Sequence, residues 1–162
     1  MDGIIGLGFA SLSTNDLKPF LDSAINLDDK SFSFYFKKDS EQSYMFIPGY
    51  DESDNYTKIA THKLIEENYW TLNLTGMKVG SKTISSEDYE VILDSGTSLI
   101  VGPKAIIDPL IGDITIKEDC SDDRSKLPDI SFTIDNTDYT LKAEDYIIET
   151  FDHVTKKCML AI

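Results

Sequence analysis

Short strand-like runs, each closed by a turn signal, are the feature that most restricts how this chain can fold. The stretch DISFTIDNTDYTLKAEDYII (129–148) alternates apolar and polar residues, reaches a tight polar turn at 135–138 and then alternates again. SFSFYF (31–36) and YMFIPGYD (44–51) show the same pattern on either side of a polar segment. Period-two alternation predicts half-buried strands, and short polar turns between strands predict hairpins. The chain is therefore predicted to be mainly β and antiparallel.

Other segments add two strands and a few short helices to this prediction. YWTLNLTGMKVGSKTI (69–84) alternates and carries turn signals at Gly76 and Gly80, while YEVILDSG (89–96) is a strand that runs into an acidic turn. TNDLKPFLDSAI (14–25) has an N-cap and apolar residues at helical spacing. GPKAIIDPLIG (102–112) places proline in a first helical turn and glycine at its end, which predicts a second helix.

The charge of the chain excludes one class of partner. Fifteen basic and 29 acidic side chains give a net charge of −14, so the phosphates of a nucleic acid would repel the chain. Two explanations for the acidity stay open, namely solubility and adaptation of an enzyme to acid. No apolar run approaches the roughly 18 residues of a membrane span, so none is predicted.

The cysteine content favours one disulfide over a metal site. Cys120 and Cys158 are the only cysteines, no Cys-x-x-Cys motif is present, and His62 and His153 are far apart in sequence. A disulfide between the two cysteines implies an oxidising compartment. Two Asn-x-Thr sequons agree with that compartment as possible N-glycosylation sites, at Asn55 and Asn73. The first residues, MDGIIGLGFASLS, lack the features of a signal peptide, so we interpret the chain as part of a longer precursor.

The segment VILDSGTSLI (91–100) resembles a catalytic turn. Asp94 follows three apolar strand residues, so its side chain is expected to emerge at a strand end inside the protein. Gly96 allows the backbone to fold closely enough for amide N–H groups to reach the carboxylate, and the hydroxyls of Ser95 and Thr97 can orient its oxygens. The alternative is an Asx-type turn that caps a strand end without any chemistry.

Several segments together resemble the pepsin-like aspartic proteases, in the order of that family. They are DGIIGLGF (2–9), FSFYF (32–36) with YMFIPGYD (44–51), YWTLNLTGMKVG (69–80), VILDSGTSLIVGP (91–103) and LPDISFTIDNTDYTLKAEDYI (127–147). The resemblance implies a bilobal β-barrel fold with a few short helices, in which each lobe supplies one Asp-Thr/Ser-Gly turn. Residues 1–162 are then a partial peptidase domain, with the end of the N-terminal lobe and a connection over about 1–30 and an incomplete C-terminal lobe over about 31–162.

The resemblance also implies roles for individual residues. Asp94 is the catalytic carboxylate of the C-terminal lobe, supported by Ser95, Gly96 and Thr97. Four further positions match the substrate cleft, namely Ile4, Tyr69, Ile92 and Ser98. Cys120 and Cys158 fall where the disulfide of that lobe is expected. The family cleaves peptides and proteins without a metal or an organic cofactor.

The leading hypothesis is therefore an aspartic endopeptidase whose second catalytic acid lies outside this sequence. Asp94-Ser95-Gly96 is the sole Asp-Thr/Ser-Gly motif among the 162 residues, so the chain alone is predicted to be inactive and to need an N-terminal lobe as partner. Leu110–Gly112 has the composition of the strand that packs beside an acid turn, but we interpret it as a helix end. A homodimeric retroviral-type protease and a non-catalytic peptide- or glycan-binding module are the alternatives. The expected location is secreted, lysosomal or vacuole-like.

Overall fold

The structure is a computed structural model that describes residues 3–15, 17–24, 26–37, 42–50, 56–152 and 154–162, with residue 152 described by its backbone alone. The chain divides into two compact units. The first unit consists of Met1–Thr61 and Glu67–Tyr69, and the second consists of His62–Glu66 and Trp70–Ile162.

The first unit contains short elements. A 3-10 turn spans Ala10–Leu12 and helix α1 spans Phe20–Ser23. Strands β1 (Ser33–Tyr35) and β2 (Tyr44–Phe46) pair antiparallel, which confirms the predicted hairpin, although residues 38–41 of its connection lie outside the described residues.

Helix α1 is much shorter than the predicted helix over residues 14–25. Pro19 is its N-cap residue, and the helix extends for only four residues beyond it. Proline has no backbone N–H to continue a helical hydrogen-bond ladder, and it disfavours helical geometry in the residue before it. Asn15 also has a φ of 58°, which is left-handed backbone outside an α-helix. The helix therefore does not extend back through Pro19 to the residues before it.

A six-stranded sheet is the framework of the second unit. Its strands are β3 (Glu66–Glu67), β4 (Trp70–Val79), β5 (Lys82–Ser85), β6 (Tyr89–Ile92), β7 (Ile130–Ile134) and β8 (Thr137–Leu141), and of these residues Glu67 alone belongs to the first unit. The main path runs β3-β4-β7-β8, while β5 and β6 also pair with β4. The pairings of β4 with β5, β6 and β7 are antiparallel, as is that of β7 with β8, so the mainly β prediction is confirmed.

The two glycines predicted as turn signals after Trp70 behave differently. Gly80 lies in the tight turn between β4 and β5 with a φ of 56°, as predicted. Gly76 does not end a strand, because β4 continues through it to Val79. The pairing of β4 with β7 shifts register between Leu74 and Gly76. A glycine inside a strand often marks such a bulge. The prediction of a turn at Gly76 was therefore wrong, because the strand continues through this bulge.

The remaining elements of the second unit follow the sheet. Helix α2 spans Lys104–Ile111, with Pro103 before it and Gly112 as its C-cap, as the sequence predicts; Leu110–Gly112 is thus a helix end. A 3-10 turn covers Arg124–Lys126, and a short helix, α3, covers Ala143–Tyr146. Strands β9 (Ile147–Asp152) and β10 (Thr155–Leu160) form an antiparallel hairpin. The sequence analysis did not separate α3 and β9 from the strand before them.

The core of the second unit joins β4 to the helices and the last hairpin. Ile130 and Tyr146 have no exposed surface and Leu110 is 1 % exposed. The buried cluster also takes residues from β4 and β10. Among the described residues, no helix has the length and apolar character needed to cross a membrane.

Candidate active site

The acid turn directly follows strand β6 and is organised by its own donors. The backbone N–H of Gly96 donates to Oδ1 of Asp94 at 2.8 Å, and the Thr97 hydroxyl donates to Oδ2 at 2.6 Å. The Thr97 N–H also donates to the Asp94 carbonyl at 3.2 Å, which closes the turn. Each carboxylate oxygen therefore has its own donor, as expected for Gly96 and Thr97. Among the described residues, the Ser95 hydroxyl does not donate to Asp94, contrary to the expectation from the sequence.

Gly96 allows a close approach that a side chain would hinder. A Cβ atom built on Gly96 would lie 3.1 Å from Oδ1 of Asp94. That is closer than ordinary van der Waals contact, so any larger residue would have to displace the carboxylate that its own N–H holds. A Cβ atom at position 96 would thus need Oδ1 of Asp94 to shift by a few tenths of an ångström.

The two donors also determine the electrostatics of the carboxyl group. The hydrogen bond from the Thr97 side chain, and then that from the Gly96 N–H, hold the pKa of Asp94 below its usual value. Hydrogen bonds to the ionised form favour that form. The ionised form of Asp94 is therefore favoured, and each of its oxygens is oriented by a donor.

The predicted burial of the acid turn is not observed. Asp94 is exposed, and the two apolar residues before it, Ile92 and Leu93, are 45 % and 65 % exposed. Strand β6 pairs with β4 on one side, so its other edge is open in the described residues. The expectation that Asp94 emerges inside the protein was therefore wrong for this chain taken by itself.

The other predicted cleft residues fall in both units. Ile92 ends β6 and Ser98 follows the acid turn, so both share the segment of Asp94. Ile4 and Tyr69 belong to the first unit, where they are 85 % and 51 % exposed. Ser95 is also exposed, and its predicted role of bracing a second acid turn stays a prediction, as do the cleft roles.

The predicted disulfide is confirmed. Cys120 and Cys158 are joined, with their Cα atoms 5.2 Å apart, and the bond links the loop after α2 to strand β10. The two sequons stay predictions of glycosylation. Asn73 lies in β4 opposite Glu90 of β6, and Asn55 lies outside the described residues.

A histidine cluster in the second unit was missed by the sequence analysis. His62 Nδ1 lies 2.9 Å from Oδ2 of Asp135, and Nε2 lies 2.5 Å from the hydroxyl of Tyr139. Its side chain is only 12 % exposed, so His62 is not a surface residue. The contact spans 73 residues, and no local pattern marks it. His153 lies outside the described residues.

Comparison with known proteins agrees with this geometry. The family model described as "Eukaryotic aspartyl protease" matches residues 1–162. The chain belongs to this family of pepsin-like aspartic proteases.

The relatives to which this chain is similar include proteins named vacuolar protease A and proteins named pepsin. A probable vacuolar protease A of Arthroderma benhamiae is 32 % identical, with 91 % of this chain and 40 % of the relative covered. Pepsin A of Gallus gallus is 33 % identical, with 91 % and 42 % covered, and vacuolar protease A of Neurospora crassa is 33 % identical, with 91 % and 40 % covered. The chain thus spans about two fifths of the length of these relatives.

Proposed function

We propose that this chain is part of an aspartic endopeptidase in which Asp94 is one of two catalytic carboxylates. The observation that carries the proposal is the Asp94 carboxylate, which accepts one hydrogen bond on each oxygen from Gly96 and Thr97. An Asx-type turn that merely caps a strand does not require both oxygens to be oriented. Membership of the aspartyl protease family supports the same assignment.

The proposed reaction needs a second carboxylate beside Asp94. Two carboxylates at close range share one proton, because both cannot be ionised together. The ionised one takes a proton from a water molecule as it attacks the peptide carbonyl, and the protonated one gives its proton to that carbonyl oxygen. The pair titrates as a unit, so neither role belongs permanently to Asp94. Gly96 and Thr97 orient its oxygens, and Ser95 braces the two acid turns.

The substrate is proposed to be an extended segment of a peptide or protein. Ile4, Tyr69, Ile92 and Ser98 are proposed to be substrate-cleft residues. In the same scheme about 1–30 ends the N-terminal lobe and about 31–162 belongs to the C-terminal lobe. The disulfide implies an oxidising compartment, and relatives named vacuolar protease A support an acidic, vacuole-like or secreted location.

The 162-residue chain alone is proposed to be inactive, since it supplies a single acid turn. The test joins the chain to the N-terminal lobe of a pepsin-like relative and measures cleavage of a denatured protein at acid pH. The joined protein should cleave, and Asp94→Asn should abolish cleavage. Asp138→Asn is the matched control, because Asp138 is another hydrogen-bonded aspartate with a lowered pKa, on strand β8 away from the acid turn.

Three results would count against the proposal. Cleavage by the chain alone that survives Asp94→Asn would assign the activity to other residues. A joined protein that folds and binds peptide without cutting it would favour the non-catalytic binding module. An active, stable dimer of the 162-residue chain that is lost on Asp94→Asn would favour the homodimeric protease.

A further inference from the structure

The two sulfurs of the disulfide lie in different surroundings. Cys158 is 5 % exposed and belongs to the buried core of the second unit. Cys120 is only partly buried, in the loop that follows α2, with its N–H bonded to the Lys117 carbonyl at 3.1 Å. An attacking group from solvent therefore has better access to the Cys120 sulfur.

A cation lies beside the buried sulfur. Nη2 of Arg124 is 3.6 Å from Sγ of Cys158 and 2.7 Å from Oε1 of Glu149. Glu149 is the direct cross-strand partner of Cys158 in the β9–β10 hairpin. The guanidinium is thus placed to stabilise negative charge on the Cys158 sulfur, and the Glu149 carboxylate opposes part of that effect. Because an arginine stays protonated at any ordinary pH, the cation persists in acid.

The loop that carries Cys120 has the opposite charge. Residues 117–123, KEDCSDD, contain four acidic side chains and one lysine. Asp119 and Asp123 accept hydrogen bonds from serine N–H groups. The side chains of Ser121 and Ser125, and then other donors, hold the pKa values of these carboxyl groups below the usual range, which favours their ionised forms. Negative charge at the Cys120 sulfur is therefore disfavoured relative to negative charge at Cys158.

We propose that this disulfide is a directional thiol-exchange site, at which a small thiol attacks Cys120 and releases Cys158. The attacking thiolate forms a bond to Cys120 Sγ, the Cys120–Cys158 bond breaks, and its electron pair leaves on Cys158 as a thiolate beside Arg124. The step has no net oxidation or reduction, since one disulfide replaces another. In thiol–disulfide exchange the sulfur that better carries negative charge is the better leaving group, and access decides which sulfur is attacked.

The acidic loop also selects the class of thiol. A thiolate that carries an ammonium group approaches residues 117–123 with less repulsion than one that carries a carboxylate. Cysteamine is therefore expected to react faster than 2-mercaptoethanol, and mercaptoacetate slowest, once each thiolate rate is divided by the rate of the same thiolate with an uncharged small disulfide. That division removes the intrinsic nucleophilicity of each thiolate, which rises with the pKa of its thiol. In the disulfide form the Cys158 N–H donates to the Glu118 carbonyl at 2.9 Å. Exchange breaks the covalent link between β10 and the loop.

The test traps the first product of exchange. The folded 162-residue chain is treated with cysteamine near neutral pH and quenched with iodoacetamide, and the two cysteine peptides are examined by mass spectrometry. Cysteamine on Cys120 and carbamidomethyl on Cys158 should exceed the reverse pattern by about tenfold. Equal labelling of the two cysteines, an excess on Cys158, or no exchange without denaturant would each overturn the proposal.

Variants with single charge changes test the role of Arg124. Arg124→Gln should slow exchange about three- to tenfold, because it removes the cation beside the leaving sulfur. Lys126→Gln is the matched control, since it removes the same charge from the same 3-10 turn at a side chain that pairs with Asp123. Glu149→Gln should speed exchange by freeing the guanidinium.

The fold of each variant is checked by its circular dichroism and by its thermal midpoint. A slower rate in Lys126→Gln equal to that in Arg124→Gln would show that net charge, and not the contact with sulfur, controls the reaction. Slower exchange in Glu149→Gln at an unchanged midpoint would also contradict the proposed role of Arg124.

Discussion

Removal of the disulfide is expected to destabilise the second unit by about 4 kcal/mol. The bond joins residues separated by 38 positions in sequence. For a loop of that length, the chain-entropy relation gives a loss of about 13 cal/mol/K in the unfolded state, or about 4 kcal/mol near room temperature. Replacing the buried Cys158 by alanine also removes its sulfur from the core and adds about 1 kcal/mol. The double variant Cys120→Ala/Cys158→Ala should therefore lose about 5 kcal/mol in total.

The free energy of unfolding can be followed by the fluorescence of Trp70 during denaturation with urea. Trp70 is the single tryptophan and begins β4, so its signal reports on the second unit. The urea m-value should rise in the double variant, because an unfolded chain without the cross-link exposes more surface. Cys120→Ala alone keeps the Cys158 sulfur in the core, so this variant separates the effect of the cross-link from that of packing.

The size of the loss in the Cys120→Ala variant decides whether the reasoning is correct. A loss below about 2 kcal/mol, with an unchanged m-value, would show that the cross-link does not restrict the unfolded chain as the entropy relation requires. A loss seen only in the double variant would assign the stabilisation to sulfur packing.

Three further predictions concern the acid turn and the core. Thr97→Val should raise the pKa of Asp94 towards its ordinary value, followed by NMR of the carboxyl carbon, while Thr97→Ser should keep it low. The lowered pKa of Asp94 stabilises the folded state at pH values above the ordinary aspartate pKa, and this stabilisation is lost as the pH falls through the pKa of the folded state. Thr97→Val should therefore make the free energy of unfolding less dependent on pH in that range. Leu110→Ala, at a side chain 1 % exposed, should cost about 3 kcal/mol in urea unfolding. Leu93→Ala, at one 65 % exposed, should cost less than about 1 kcal/mol, and equal losses would contradict the assigned core. Tyr146→Phe should cost about 1 kcal/mol, because its hydroxyl donates to a backbone carbonyl at 2.7 Å. Burial raises the pKa of Tyr146, so wild-type stability should fall as the pH rises through the ordinary tyrosine range, and the variant should fall less.

The elements that the sequence predicted correctly are those built from local information. The β7–β8 hairpin turns at Asp135 and Asn136, which both have positive φ angles, and asparagine and aspartate tolerate that conformation. Helix α2 lies between Pro103 and Gly112 as local rules require. The same local rules gave a wrong prediction at Gly76. Strand β4 pairs on both of its edges, and these long-range hydrogen bonds continue the strand through the glycine.

The candidate site divides in the same way. The donors to Asp94 lie two and three residues after it, so the turn could be predicted from residue types at fixed spacing. The contact of Arg124 with the Cys158 sulfur spans 34 residues and depends on where the 3-10 turn and β10 pack. No periodic pattern in the sequence predicts how the 3-10 turn packs against β10. The exposure of the acid turn likewise depends on which elements cover β6, and this is a property of the assembled fold.

The geometry of Asp94 explains why the proposed function requires a second acid. Its two donors lower its pKa, so Asp94 favours its ionised form more strongly than a free aspartate does. A lone ionised carboxylate can accept a proton from water, but it has no proton to give to the peptide carbonyl oxygen. A second carboxylate at close range would supply that proton. Because two adjacent negative charges repel each other, the pair keeps one proton at pH values at which a single carboxyl group would be ionised. The hydrogen bonds that favour the ionised form of Asp94 therefore leave this carboxylate without the proton that the reaction also needs.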